Sequence, residues 1–128
     1  MAQGGLPTVL VADDHEDDRE LARILLEQYC GCRVIEAENG REAVELARRA
    51  FPGLIFMDLR MPEMDGYEAA RRIRLESGLS SVPMVAYTAY YSYSLTDSAI
   101  EAGFDEYVQK PVTKEEMQEI VGHYLKAE

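Results

Sequence analysis

The chain has 128 residues, a hydrophobic content of 47% and a formal net charge of −11 at pH 7. These values fit one globular domain and argue against direct binding of nucleic acid, whereas a metal cation or a basic protein surface suits the excess of acids. No apolar run approaches the ~18 residues of a membrane span, and residues 1–7 lack the features of a signal peptide. We therefore expect a cytoplasmic protein with a short tail at 1–7 and a single domain at 8–127.

Short apolar runs alternate along the chain with segments of helical periodicity. Strands are predicted at 8–12, 33–37, 54–57, 82–87 and 106–109. A helix is predicted after each strand, and the last helix is the clearest, because Thr113 and Glu116 have the spacing of a capping box. Strict alternation predicts an α/β fold with right-handed crossovers and a parallel sheet between two layers of helices.

The third run, Leu54–Met57, is apolar throughout and leads directly to Asp58. An uninterrupted apolar strand is typical of a parallel sheet that is buried on both faces. Open sheets of this class bind ligands at the carboxyl ends of their strands, so Asp58 is a candidate site residue. Taken alone, Asp58 is equally well explained as a cap of the following turn.

The second predicted strand ends at Ala37-Glu38 without obvious chemistry, but polar residues that could act together follow the other four strands. They are Asp13, Asp14, Asp58, Thr88 and Lys110. The ends of these four strands can converge on one crevice of a doubly wound sheet. Carboxylates that lie close together repel one another, and an all-oxygen donor set favours Mg²⁺ as the cation that relieves the repulsion.

A magnesium ion beside Asp58 would leave the carboxylate able to attack phosphorus, because the metal also binds the oxygens of an incoming phosphoryl group. Lys110 can supply a positive charge to a phosphoryl oxygen, and Thr88 can donate a hydrogen bond to another. Each residue alone is weak evidence. The joint pattern at four separate strand ends predicts phosphoryl chemistry at Asp58.

The segments that contain these residues resemble the receiver domain of two-component response regulators, the CheY-like fold. The matching segments are Val11–Asp14, Met57–Gly66, Thr88–Ala89 and Lys110–Pro111. The resemblance covers nearly the full length of the chain. It implies a flavodoxin-like, doubly wound sheet of five parallel strands in the order 2-1-3-4-5, with Asp58 as the phosphoacceptor.

The resemblance also implies a metal site made of oxygen atoms. Asp14, Asp58 and the main-chain carbonyl of Arg60 would ligate Mg²⁺, and Asp13 would assist through water. No other cofactor is implied.

The resemblance also implies a conformational switch that responds to phosphorylation. Thr88 and Lys110 would contact the phosphoryl group, and Tyr107 matches the aromatic residue whose rotation accompanies activation. The bond between Lys110 and Pro111 is expected to be cis. Tyr87 departs from the family pattern, since an aliphatic residue usually precedes the threonine.

Two bulky residues, Arg60 and Tyr90, lie two positions after the acceptor aspartate and the threonine, where this family tunes the lifetime of the phosphoryl group. We hypothesise that they hinder the hydrolytic water and prolong the phosphorylated state. Tyr90 also begins a cluster with Tyr91 and Tyr93. The cluster is interpreted either as exposed loop residues or as an interaction face beside the fourth helix.

Four further side chains with reactive groups are assigned no functional role. His15 is expected to be an ordinary residue of the first helical turn, and His123 is expected to be solvated. Cys30 and Cys32 have no nearby His or Cys partners to complete a zinc site, so they are interpreted as packing residues.

The leading functional prediction is a signalling switch. A phosphohistidine on a histidine kinase or a phosphotransfer protein would pass its phosphoryl group to Asp58, and the face formed by the fourth helix, fifth strand and fifth helix would shift population towards a downstream protein. The chain would be a stand-alone regulator, a phosphorelay intermediate or a piece of a larger regulator. A homodimer through the fourth and fifth helices is compatible with this role. Catalysis would be limited to self-catalysed phosphotransfer and autodephosphorylation.

Three alternatives compete with the switch. A magnesium-dependent aspartyl-phosphate phosphatase of the haloacid dehalogenase type needs an acid two residues after its nucleophile, but Arg60 stands there. A flavodoxin-like flavin carrier needs phosphate-binding amides after the first strand, where residues 13–18 are mostly acidic and would repel phosphate. A non-phosphorylated adaptor is disfavoured because all five site residues are present.

Overall fold

The structure is a computed structural model that describes residues 5–90 and 92–125. Residues 1–4 of the predicted tail and residues 126 and 127 of the predicted domain lie outside the described residues. Tyr91, a member of the predicted tyrosine cluster, also lies outside them.

Five strands alternate with five helices along the described part of the chain. The strands are Thr8–Ala12 (β1), Arg33–Ala37 (β2), Leu54–Met57 (β3), Met84–Thr88 (β4) and Glu106–Gln109 (β5). The helices are Glu16–Tyr29 (α1), Gly40–Ala50 (α2), Gly66–Arg74 (α3), Tyr93–Ala102 (α4) and Lys114–Tyr124 (α5). All strand pairs are parallel and the strand order is β2-β1-β3-β4-β5, which confirms the predicted fold class and topology.

The sheet separates two apolar cores, as expected for helices on both faces. One core packs α1 and α5 against the sheet and includes Leu26, Phe56 and Met117. The other packs α2, α3 and α4 against the opposite face and includes Ile55 and Ile73. Within the described residues, no helix combines the length and the apolar character that crossing a membrane requires.

The fourth strand begins two residues later than predicted and includes Thr88. The amide of Val82 donates to the carbonyl of Leu79, which ends the preceding turn. Pro83 contributes only its carbonyl to the sheet, where it accepts a hydrogen bond from the amide of Ile55 at 3.0 Å. Pro83 therefore precedes the strand, because it has no N–H to donate.

Polar caps fix where the helices begin. Asn39 accepts a hydrogen bond from the amide of Glu42 as the N-cap of α2. The predicted capping box of α5 is confirmed. At α3, a Cβ atom on Gly66 would lie 2.3 Å from the carbonyl oxygen of Asp58. Gly66 therefore allows α3 to begin directly against the loop that carries Asp58.

Candidate functional site

The loops after β1, β3, β4 and β5 meet at the carboxyl edge of the sheet, as the sequence predicted for the polar strand ends. Four polar or charged residues are buried among the described residues, and all four lie at or beside this edge. They are Asp13, Arg19, Asp58 and Thr88. Because buried polar groups are costly unless they are paired, this concentration marks the edge as the candidate functional site.

Lys110 is the centre of the site. Its Nζ lies 2.8 Å from Oδ2 of Asp13, 2.8 Å from Oδ2 of Asp18 and 2.9 Å from Oδ2 of Asp58. Burial lowers the pKa of Lys110, but the bonds to the three carboxylates outweigh burial and hold that pKa above its ordinary value. The ammonium group is therefore charged, and each of its three N–H groups has a carboxylate partner. Asp18 was not among the predicted site residues.

Asp13 is held from both sides of its carboxylate. Oδ1 accepts the main-chain amide of His15 at 2.9 Å and lies 3.2 Å from its Nδ1. Oδ2 accepts the hydroxyl of Tyr87 and the ammonium of Lys110, each at 2.8 Å. Burial raises the pKa of Asp13, but the hydrogen bonds from Lys110, His15 and Tyr87 prevail and leave that pKa below its usual range. Tyr87, the departure from the family pattern, thus acts here as a hydrogen-bond donor.

Asp58 is 3% exposed and directly follows β3. Its Oδ1 accepts the main-chain amide of Arg60 at 3.2 Å, and its Oδ2 accepts Lys110 at 2.9 Å. Burial raises the pKa of Asp58, and the bonds from Lys110 only partly offset that effect. The carboxylate is poorly solvated, so a cation or an electrophile that reached it would be favoured.

Three carboxylates and one imidazole could be bridged by one metal ion, since Asp13, Asp14, His15 and Asp58 offer donor atoms that all lie within 4.8 Å of one another. Carboxylate oxygens are hard donors, which suits Mg²⁺ better than a soft ion. Asp13 accepts hydrogen bonds from His15, Tyr87 and Lys110, which leaves its carboxylate less free for direct ligation than that of Asp58, which accepts from Arg60 and Lys110. The main-chain carbonyl of Arg60 as a ligand stays a prediction.

His15 differs from its predicted place. It is the N-cap residue of α1 rather than a member of the first turn. Its Nδ1 lies 3.2 Å from Asp13 and 3.3 Å from Asp14. The hydrogen bond to Asp13 and the charge of Asp14 raise the pKa of His15. In the sequence, the available sign of these contacts was that His15 directly follows the acidic pair Asp13 and Asp14.

The second strand is linked to the site through Arg19, although no site residue lies at its end. Arg19 of α1 donates from Nε to Glu36 of β2 at 2.9 Å and from Nη1 to the main-chain carbonyl of Asp13 at 2.8 Å. Arg19 thereby ties the loop after β1 to the neighbouring strand. In the sequence, the available sign was that Arg19 shares a helical face with Ala22 and Leu26, which are buried in α1.

Thr88, Arg60 and Tyr90 line the same crevice as Asp58. The guanidinium carbon of Arg60 lies 4.3 Å from the centre of the Tyr90 ring, which is a cation–π contact. The hydroxyl of Tyr107 donates to the main-chain carbonyl of Tyr90. The two bulky residues singled out from the sequence therefore touch each other, and the expected switch aromatic touches one of them.

The remaining predictions concern the tyrosines and the thiols. Tyr93 is the first residue of α4 rather than a loop residue, and it is 84% exposed. Both cysteines are free thiols. Cys32 is buried, and burial with the proximity of Cys30 raises its pKa to about 11. The bond between Lys110 and Pro111 is cis, as expected.

A family profile described as the response regulator receiver domain matches residues 9–122. The polar-differentiation response regulator DivK of Brucella anthropi is 31% identical over 118 residues, which cover 92% of this chain and 95% of DivK. The sensor protein GacS of Pseudomonas syringae is 35% identical over 118 residues. That match covers 90% of this chain but only 13% of GacS.

A solved structure shares the whole architecture. It is the receiver domain of the sensor histidine kinase PA1611 from Pseudomonas aeruginosa, in which a magnesium ion is coordinated in the active-site cleft. The TM-score is 0.88 at 29% sequence identity, and the match covers 96% of this chain and 100% of that one.

Proposed function

This chain belongs to the response regulator receiver domain family, and we propose that Asp58 is its phosphoacceptor. The observation that carries the proposal is the placement of the Asp58 carboxylate, with Oδ2 2.9 Å from the ammonium group of Lys110 and donor atoms of two further carboxylates within 4.8 Å. A buried acid beside a fixed cation and within a metal-binding cluster is suited to receive a phosphoryl group.

The proposed donor is a phosphohistidine of a histidine kinase or of a phosphotransfer protein. An oxygen of Asp58 attacks phosphorus, and the bond between phosphorus and the histidine nitrogen breaks. The bonding electron pair stays on that nitrogen, which takes up a proton, and Asp58 becomes an acyl phosphate. Lys110 turns one of its N–H groups to a phosphoryl oxygen, and the hydroxyl of Thr88 donates to another.

Asp14, Asp58 and the main-chain carbonyl of Arg60 would hold Mg²⁺, with Asp13 acting through water. The bound ion supplies positive charge to the phosphoryl oxygens and offsets the repulsion among the carboxylates. The hydrogen bonds that Asp13 accepts from His15, Tyr87 and Lys110 support a water-mediated contact with the metal rather than direct ligation. The hard-oxygen donor set supports Mg²⁺ as the ion.

Phosphorylation is proposed to shift the population of a face formed by α4, β5 and α5. The hydroxyl of Thr88 would be drawn towards the phosphoryl group, and Tyr107 would change the contact that it makes with the carbonyl of Tyr90. A downstream protein would bind the shifted face, and a homodimer would use α4 and α5. The similarity to DivK over 95% of its length supports a regulator of one domain, whereas the similarity to GacS is equally compatible with a larger protein. No turnover of an external substrate is proposed.

Arg60 and Tyr90 are proposed to prolong the phosphorylated state. Their cation–π contact places two bulky groups together in the crevice beside Asp58, where they hinder a hydrolytic water. Arg60→Ala and Tyr90→Ala proteins labelled with acetyl phosphate should therefore lose the label faster than the parent protein. Decay at the parental rate in both variants would exclude steric shielding.

The function itself is tested by intact-protein mass spectrometry after incubation with acetyl phosphate and Mg²⁺. The parent protein should gain the mass of one phosphoryl group, and the gain should disappear when Mg²⁺ is removed with a chelator. Asp58→Asn should gain nothing, while Asp65→Asn, which changes a carboxylate at the cap of α3, should be modified like the parent. Equal modification of Asp58→Asn would reject the proposed acceptor.

A further inference from the structure

We propose that Asp18 is a positioning residue that holds Lys110 on the α1 side of the site and so restrains phosphorylation of Asp58. The inference rests on the proposed function and adds a residue to its machinery. It starts from the unexpected third carboxylate partner of Lys110, whose Nζ lies 2.8 Å from Oδ2 of Asp18.

The geometry leaves Lys110 no spare donor. An ammonium group has three N–H groups, and here they meet Asp13, Asp18 and Asp58 at 2.8 to 2.9 Å. The side chain of Lys110 is only 10% exposed, so water competes poorly for these bonds. Any new acceptor at Lys110 must therefore displace one of the three carboxylates.

Asp18 is carried by a rigid part of the molecule although its own side chain is 43% exposed. The next residue, Arg19, is buried and donates to the main-chain carbonyl of Asp13 at 2.8 Å. That bond fixes the first turn of α1 against the loop that carries the acidic pair. The carboxylate of Asp18 therefore reaches Lys110 from a fixed position on α1.

This arrangement affects the arrival of a phosphoryl group in two ways. The phosphoryl oxygens must compete with Asp18 for an N–H of Lys110. The negative charge of Asp18 also repels the incoming phosphoryl group, since both lie within a few ångströms of the same ammonium. Both effects slow phosphorylation. If Asp18 is lost, Asp13 and Asp58 still hold Lys110 beside the acceptor.

The experiment compares Asp18→Asn with Asp17→Asn. Both residues lie in the first turn of α1, so the two variants lose the same charge at the same end of the helix dipole. Asp17 is exposed and is not among the carboxylates that Lys110 contacts. With acetyl phosphate and Mg²⁺, Asp18→Asn should be phosphorylated about three- to tenfold faster than the parent, and Asp17→Asn at close to the parental rate. Asp18→Ala provides a second variant if Asp18→Asn does not fold.

Dependence on Lys110 separates positioning from a general charge effect. In a Lys110→Ala background, Asp18→Asn should accelerate phosphorylation less than it does in the parent, because competition for an N–H of Lys110 is gone and only the charge repulsion remains. Urea unfolding without any phosphoryl donor gives the free energy of unfolding of the parent, of Asp18→Asn, of Lys110→Ala and of the double variant. In this double-mutant cycle Asp18 and Lys110 should be energetically coupled. The matching cycle for Asp17 and Lys110 should show no coupling.

Two results would overturn the inference. One is an equal rate for Asp18→Asn and Asp17→Asn, and the other is additive unfolding energies for Asp18 and Lys110. Failure of the parent protein to accept a phosphoryl group would instead reject the proposed function. In that case the unfolding cycle still decides whether Asp18 holds Lys110.

Discussion

Helices α1 and α4 both flank the candidate site, but the structure holds them very differently. In α1, Leu26 is fully buried, and Asp18 and Arg19 bond directly to site residues. In α4, the buried residues are the small Ala99 and Ala102. Regions with little buried apolar surface open at lower free energy than well-packed ones. The comparison indicates that α1 fixes the site, whereas α4 is suited to move in response to it.

Truncation of one apolar side chain in each helix tests this contrast most strongly. Leu26→Ala should lower the free energy of unfolding by about 3 kcal/mol, because a fully buried side chain leaves a cavity. Ile100→Ala in α4 should lower it by less than about 1 kcal/mol, because Ile100 is 50% exposed. Urea unfolding monitored by circular dichroism measures both values. Similar losses for the two variants would remove the distinction between the helices.

The polar attachment of α1 is tested with two arginines that share one acid. Arg19 lies 2.9 Å from Glu36 and is buried, whereas Arg23 lies 3.1 Å from Glu36 and is more exposed. Arg19→Met should cost about 2 kcal/mol of unfolding free energy, because it also leaves the carbonyl of Asp13 without its donor. Arg23→Met, as the matched control, should cost less than about 0.5 kcal/mol. An equal cost would show that Arg19 is only a surface ion pair.

Thiol alkylation compares the two helices without unfolding the protein. The amide of Cys32 donates to the carbonyl of Leu26, so this thiol reports on the end of α1. Because its pKa is raised to about 11, its thiolate fraction at pH 8 is about a hundredfold lower than that of an ordinary cysteine. Iodoacetamide labelling followed by peptide mapping should therefore be slow at Cys32 and rapid at an Ile100→Cys probe in α4. Rapid labelling of Cys32 in the folded protein would contradict a tightly held α1.

Strand β5 lies at the sheet edge, and Tyr124 of α5 donates to Glu106 of that strand at 2.9 Å. Burial and this hydrogen bond raise the pKa of Tyr124 to about 12, above that of an unfolded tyrosine. The bond therefore contributes stability at pH below about 10, and the contribution is lost as the pH rises towards 12. Tyr124→Phe should cost about 1 kcal/mol at pH 7, and the difference from the parent should shrink above pH 10. A constant difference up to pH 12 would show that the hydroxyl does not make this bond.

The sequence was sufficient to predict the fold and the polar residues that lie at the carboxyl ends of the strands. Leu54–Met57 is apolar at every position, so its burial and the exit of Asp58 at the carboxyl edge follow from composition alone. Thr88 and Lys110 could be placed beside Asp58 because alternating strands and helices allow only a few topologies.

The residues that sequence reasoning missed all depend on the orientation of α1. Neither Asp18 nor Arg19 was predicted as a site residue. Their contacts depend on the angle at which α1 leaves β1, which periodicity does not encode. His15 was missed for the same reason, since only the folded loop turns its ring towards Asp13 and Asp14.

Locating the phosphoryl group is the most direct test of the central claim. After reaction with acetyl phosphate and Mg²⁺, borohydride reduces an aspartyl phosphate to homoserine, and peptide mass spectrometry identifies the altered position. Reduction at Asp58 alone is the result that this account predicts. Reduction at Asp13 or Asp14, or at no aspartate of the protein, would contradict it.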